Sequence, residues 1–272
     1  MSKICLIDGD SIPYLVSGSS EIQQRFWYVA EDEESPPLAS FSGRNGKKEA
    51  VAWATAFGLT AENCYNGCTL LPDADVKLRE YTDAYLELIF KRTESDRYKL
   101  FIGGEGNFRK DLYPEYKANR KNLMKPLLYD VCVDYLKSNY GAVPVDDMEA
   151  EDAVGIATSE YSDCVIVHID KDLNQLPGTH YDFKKDVLYE IDEYNAYYNL
   201  YKQVIMGDAT DNIPGLAGYG EKKAEKALQQ CSYPEQMWSV CLELYNNKAA
   251  ANLTASLVYL LREQDDKWKA PF

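Results

Sequence analysis

Three short apolar runs, KICLID (3–8), YKLFI (98–102) and CVIVHID (164–170), set the tightest limit on how this chain can fold. They are rich in β-formers, and long stretches with helical patterning separate them. Strands that alternate with helices build a mostly parallel sheet flanked by helices, an α/β fold. In open parallel sheets, ligands bind beyond the carboxyl ends of the strands. Two of the runs end in aspartate, Asp8 and Asp170. Those strand ends are the expected active site.

Helices are expected over 75–92, where Val76, Tyr85, Leu88 and Ile89 lie near a 3.6-residue period, and over 126–139, which starts with a proline in its first turn. Further helices are expected over 150–161, 193–206, 221–230 and 234–262, the last interrupted near Asn246 and Asn247. Residues 30–46 carry charge, prolines and glycines and read as a surface loop or a β excursion. No apolar run approaches the roughly 18 residues of a membrane span, and MSKICLIDGD has too short an apolar stretch for a signal peptide. The expectation is a cytoplasmic protein that does not engage a membrane.

Acids recur in short clusters: Asp8 and Asp10 in LIDGD, Glu149, Glu151 and Asp152 in MEAEDAVG, Asp170 and Asp172 in HIDKDL, and Asp208 and Asp211 in GDATDN. An isolated acid is usually a surface residue or a helix cap. Here the context is shared, because Asp8 and Asp170 follow strands directly, while Glu149/Asp152 and Asp208/Asp211 have i,i+3 spacing. If these groups converge, each like-charge neighbour raises the others' pKa, and cations are needed to keep them ionised. Seven cysteines with one close pair (Cys64 and Cys68) and two histidines make zinc a poor match, whereas an oxygen-only donor set selects magnesium or manganese. Two such ions about 3.5–4 Å apart are suited to phosphodiester hydrolysis.

The 29 basic against 44 acidic residues, 29 − 44 = −15, would by themselves repel nucleic acid. The charge is uneven, however, with bases gathered over 91–125 and acids over 141–172. In GEGNFRKDLYPEYKANRK (104–121), Arg109, Lys110, Lys117, Arg120 and Lys121 alternate with Phe108, Tyr113 and Tyr116. Cations that neutralise phosphates and rings that stack on bases suit a single-stranded end. Further on, NIPGLAGYGEKKA places Gly215, Gly218 and Gly220 before a helix that carries Lys222 and Lys223. Uncovered backbone N–H groups and the positive end of that helix suit a phosphate.

In order along the chain, LIDGD, NFRKDLYPEYKANR, EAED, DKDLNQL and GDATDNIPGLAGYGEKKA resemble the flap endonuclease / 5′-3′ exonuclease family, which includes the 5′-nuclease domain of bacterial DNA polymerase I and stand-alone bacteriophage nucleases. The resemblance implies one 5′-nuclease domain over 1–272. It would comprise a PIN-like core over 1–202 with a helical arch or clamp at about 104–125, a helix-three-turn-helix over 203–232, and C-terminal helices over 233–272. It implies a monomer that removes RNA primers or 5′ flaps, or degrades duplex DNA from 5′ ends and nicks, acting on DNA or RNA/DNA hybrids, with replication proteins as partners. Carried over by position, Asp8, Glu149, Glu151, Asp152, Asp170, Asp172, Asp208 and Asp211 would hold two Mg2+ or Mn2+ ions, with Asp170 and Asp172 in the catalytic set. Asp10 lies beyond the main first ligand. Lys117 and Arg120 would contact the scissile phosphate, and Tyr116 would stack on or steer the terminal nucleotides. Backbone near Gly215, Gly218 and Gly220 would bind a potassium ion that touches a DNA phosphate.

The chain departs from the family pattern where the strand before NFR normally ends in a metal-ligating aspartate. Here Ile102, Gly103 and Gly104 stand in that place, and Glu105 is the nearest acid. Two other readings follow. One is a flap-binding protein with weak or no catalysis. The other is similarity to the haloacid-dehalogenase phosphatases, with Asp8 of the DxD string as nucleophile, which leaves the glycine hairpin unused.

Overall fold

The structure is a computed structural model in which residues 3–20, 24–70, 73–120, 125–264 and 266–271 are described. Lys121, expected at the DNA interface, and the rest of 121–124 in the expected arch lie outside the described residues. The first half of the chain runs β1 (Ile4–Asp8), α1 (Ser11–Ser20), β2 (Gln24–Val29), β3 (Ala39–Ser42), α2 (Gly46–Ala56), β4 (Cys64–Thr69), α3 (Ala74–Thr93), β5 (Arg97–Gly103), α4 (Phe108–Leu112) and α5 (Tyr129–Tyr140). The second half adds β6 (Val143–Val145), α6 (Ala150–Glu160), β7 (Cys164–His168), β8 (Gly178–Asp182), β9 (Val187–Ile191), α7 (Glu193–Met206), β10 (Gly207–Asp208), β11 (Ile213–Pro214), α8 (Glu221–Leu228), α9 (Pro234–Tyr245) and α10 (Lys248–Val258).

The main sheet has the order β6-β5-β1-β7-β8-β9 and is parallel except at β9. Strand β1, at its centre, shows why: Cys5 and Ile7 pack with α1, α3 and α5 on one face, while Ile4 and Leu6 pack with α6 on the other. With both faces covered, the strand reads as an uninterrupted apolar run rather than an alternating one. The three expected strands are the three central ones. The outer strands β6, β8 and β9, of which β6 and β9 are the edges, are not marked in the sequence: VPV is short and contains proline, and GTHYD is largely polar. A separate antiparallel sheet, β3-β2-β4, carries α2 and includes a strand within 30–46, where a loop or a β excursion is expected.

Helix ends follow local chemistry. The long C-terminal pattern breaks where anticipated: Asn246 takes the left-handed conformation (φ 46°), and Asn247 caps α10 by accepting the Ala250 N–H at 3.1 Å. In α3 the buried stripe is Ala74, Leu78, Thr82, Leu86 and Ile89, so Val76 faces solvent, contrary to the periodicity read from sequence. Helices α7 to α10 form a second core around Trp238, Tyr201, Val204 and Leu228.

Candidate functional site

The aspartates ending β1 and following β7 come together, as the parallel topology requires. A cleft of about 470 Å³ is lined by Asp8, Asp10, Glu149, Glu151, Asp170 and Asp211, together with Lys117, Arg120 and Lys171. A second hollow of about 550 Å³ lies against it, with Gly103, Gly104, Asn107 and Lys110 in its lining. Asp10, Lys117, Arg120 and Glu149 line both, forming a wall of mixed charge between them.

On the acidic side, Asp8 is 2% exposed; burial, with Asp10, Asp170 and Glu149 nearby, pushes its carboxyl well above the ordinary range. Glu151 is raised for the same reasons, burial first and then Asp170, Glu149, Asp8 and Asp172. Burial beside Asp170 and Asp208 pushes Asp172 up to about 7. Asp208 is buried and organises its own loop, its Oδ1 accepting the Thr210 N–H at 2.7 Å and the Asp211 N–H at 3.3 Å. Among the described residues, no three acid, histidine or cysteine side chains close into a ready-made metal cage. The donors still fit hard cations: they are oxygen only, they repel one another, and Asp8, Glu151 and Asp172 lack a basic partner among the described ion pairs.

Linkage provides a test. A carboxyl whose folded-state pKa lies above its unfolded value stabilises the fold fully below the unfolded value, and that contribution is lost as pH rises through the folded one. Without divalent ions, the wild type is expected to fall behind Asp172→Asn in Tm as pH rises from about 4 to about 7, with the two curves meeting at the acid end. A gap that does not change with pH would show that Asp172 is not titrating in this window.

The basic segment is docked onto the GDATDN loop. Lys117 pairs with Glu149 and stands 3.4 Å from Asp211; Arg120 pairs with Asp211 and donates to the Thr210 carbonyl at 3.1 Å. Burial works against the Lys117 ammonium, yet Glu149 and Asp211 hold its pKa above the ordinary lysine value. The Lys117 N–H donates to the Asp211 carbonyl at 2.8 Å and Asn119 donates to the Ala209 carbonyl at 3.0 Å, so two motifs far apart in sequence form one unit. Among the described residues, 104–125 carries only α4 and one 3-10 turn over Ala118–Arg120.

Several expected roles change. Arg109 is 1% exposed and makes a bidentate pair with Asp152 (2.6 and 2.9 Å), while also donating to the carbonyls of Leu257 and Tyr259. Asp152 also accepts the N–H groups of Glu149 and Leu261. Neither residue reaches the cleft, so Arg109 is not a DNA contact and Asp152 is not a metal ligand; the pair ties α4 and α6 to the C-terminal segment. Tyr116 is 3% exposed and donates to Glu149 (3.0 Å) and Asp211 (3.2 Å), which removes its ring from stacking on nucleotides. Glu105 is exposed and lines neither hollow, so it does not fill the vacancy at the end of β5. Two residues the sequence did not flag hold the acids in place. Asn107 donates to Glu149 at 3.0 Å, and Gln203 reaches Asp208 at 3.5 Å. Both are uncharged, so neither stands out among the titratable residues of the sequence. His168 and His180 hydrogen bond to one another (2.9 Å) within the fold, and burial lowers His168 to about 3.

At the glycine hairpin the three glycines differ. Gly218 alone has a positive φ (77°), Gly220 precedes α8 with extended backbone, and Gly215 lies so close to Met206 that a Cβ would stand 2.0 Å from its carbonyl. Gly215 therefore serves packing of β11 on the end of α7 rather than anion binding. Lys222 and Lys223 are exposed on the first turn of α8.

No family model matches the chain. Over 154 residues it is 30% identical to a DNA polymerase I of Caldicellulosiruptor bescii, covering 48% of this chain and 18% of that one. Over 125 residues it is 32% identical to the exonuclease of Escherichia phage T7, covering 42% of this chain and 41% of that one. The chain thus spans less than half the length of either relative. A bacteriophage T5 flap endonuclease, solved with DNA and metal ions, is similar with a TM-score of 0.53 over 67% of this chain and 80% of that one, at 16% identity. At that identity the likeness is one of fold. The α/β fold read from the sequence and the resemblance to 5′ nucleases are both borne out.

Proposed function

We propose that the chain is a divalent-metal-dependent 5′-3′ exonuclease or structure-specific 5′-flap endonuclease, hydrolysing phosphodiesters of DNA or RNA/DNA hybrids in primer removal, flap removal or DNA degradation. The observation that carries this reading is the wall shared by the two hollows, with carboxylates at the ends of β1 and β7 on one side and Lys110 on the other, and Lys117 and Arg120 between. Asp8, Glu149, Glu151, Asp170 and Asp211, which line the cleft, would hold two magnesium or manganese ions, joined directly or through water by Asp172, which lines a neighbouring hollow with Gln203, and by buried Asp208. When bound, such ions supply Lewis-acid stabilisation of the attacking and leaving oxygens. Lys117 and Arg120, held in place by Glu149 and Asp211, offset charge developing on the phosphoryl oxygens. Exposed Lys110 guides the 5′ strand.

We read 1–272 as one 5′-nuclease domain in which α7, the β10–β11 hairpin and α8 act as a helix-three-turn-helix that grips duplex through Gly218, Gly220, Lys222 and Lys223. The Lys223 ammonium donates to the Gly218 carbonyl at 2.6 Å, so a potassium ion on the backbone near Gly215, Gly218 and Gly220 would share that carbonyl with it. The protein acts as a cytoplasmic monomer at 5′ ends, flaps and nicks, beside replication proteins. Purified protein incubated with a 5′-labelled flap and a nicked duplex should release short 5′ products in magnesium or manganese and none in EDTA. Tight flap binding without products in either metal would defeat the hydrolytic reading. A phosphoenzyme on Asp8 with turnover of small phosphate monoesters would point to a phosphatase instead.

A further inference from the structure

The end of β5 lacks an acid, yet a carboxylate occupies the space there. Ile102 is 2% exposed and belongs to the core packed against α1, α3 and α5. Gly104 has no room for a side chain, since a Cβ would stand 2.2 Å from Asp146 Oδ1 and 2.7 Å from the Val145 carbonyl oxygen. Glu105 is held in the following turn, its N–H donating to Asp146 Oδ1 and its carbonyl accepting the Asp147 N–H, both at 2.8 Å. That leaves Gly103. The three atoms nearest to a Cβ on Gly103 would all belong to Asp10, with Oδ2 at 3.1 Å, Oδ1 at 3.5 Å and Cγ at 3.7 Å. The Gly103 N–H donates to Asp10 Oδ1 at 2.7 Å, which fixes the carboxylate beside the strand end, and Oδ2 has no hydrogen-bond partner among the described residues.

We infer that Asp10 replaces the missing β5 acid as a ligand of the first divalent cation, its carboxylate delivered across the sheet from the turn after β1. The inference rests on the metal-dependent reading above. It also accounts for glycine at 103, because a side chain there would compete with Asp10 for the same space. Asp10 lines the cleft beside Asp8, Glu149, Glu151 and Asp170.

The test is Mn2+ binding by the protein alone, followed by the EPR signal of free Mn2+, on the wild type, Asp10→Ala, Glu105→Gln and the double variant Asp10→Ala/Gly103→Asp, with Tm recorded for each. Asp10→Ala should weaken one Mn2+ site by roughly tenfold or more, on the scale over which ligand charge tunes hard-cation affinity. Glu105→Gln should bind as the wild type does. The double variant should recover affinity, because Gly103→Asp returns a carboxylate to the space Asp10 leaves. Equal binding by the wild type and Asp10→Ala, or a double variant no better than Asp10→Ala alone, would overturn the assignment while leaving the metal-dependent reading intact. A wild type that binds no Mn2+ would overturn that reading itself.

Discussion

Arg109→Ala should cost about 3–5 kcal/mol of folding stability, the usual penalty for stripping one partner from a buried ion pair. The guanidinium is almost wholly buried, and four of its hydrogen bonds go to Asp152 and to the carbonyls of Leu257 and Tyr259. Removing it leaves the Asp152 carboxylate in the core with only the N–H groups of Glu149 and Leu261. It also frees the last turn of α10 from α4. Asp152→Ala should be similarly damaging, because it strands the guanidinium. Denaturant unfolding of both variants measures the effect. If Arg109 instead contacted DNA, the alanine variant would keep its stability and lose only salt-dependent DNA affinity, which would refute the structural role.

That pair also shows where sequence reading stops. Arg109 and Lys110 are adjacent in one basic segment, and charge alone ranks them equally as phosphate contacts. Their separation depends on α4, where Asn107 accepts the Arg109 N–H at 2.9 Å and starts a five-residue helix too short to show a period. Asp152 did leave a signal. Glu149 and Asp152 stand three apart before an apolar helix, the spacing of a reciprocal capping box, and the structure forms that box. The same spacing was equally compatible with paired metal ligands. By contrast, the convergence of Asp8 with Asp170 was legible, because parallel strands covered on both faces leave an apolar run in the sequence and must end on the same side. Tyr116 was misplaced for the same reason as Arg109. Its ring packs in the C-terminal core with Leu200, Val204 and Ile213, and no local pattern reports a partner 95 residues away.

Asp170→Asn should behave oppositely to Arg109→Ala, losing turnover by roughly 10³-fold or more while keeping or gaining stability. Asp170 is exposed at the mouth of the cleft, and its charge is among those that raise Asp8, Glu151 and Asp172. Neutralising it relieves that repulsion, so Tm measured without divalent ions should not fall. Its Oδ1 accepts the Asp172 N–H at 3.0 Å, a bond that the asparagine oxygen can keep, so the turn stays in place. What is lost is a hard anionic donor on the cation-holding side of the wall, and flap affinity at fixed salt should be unchanged or tighter, since one negative charge has left the path of the phosphates. The pairing of near-complete loss of cleavage with an undiminished Tm separates a working carboxylate from a structural one such as Asp152. Retained cleavage by Asp170→Asn would take the end of β7 out of the reaction, and with it the reason for the sheet to bring these acids together.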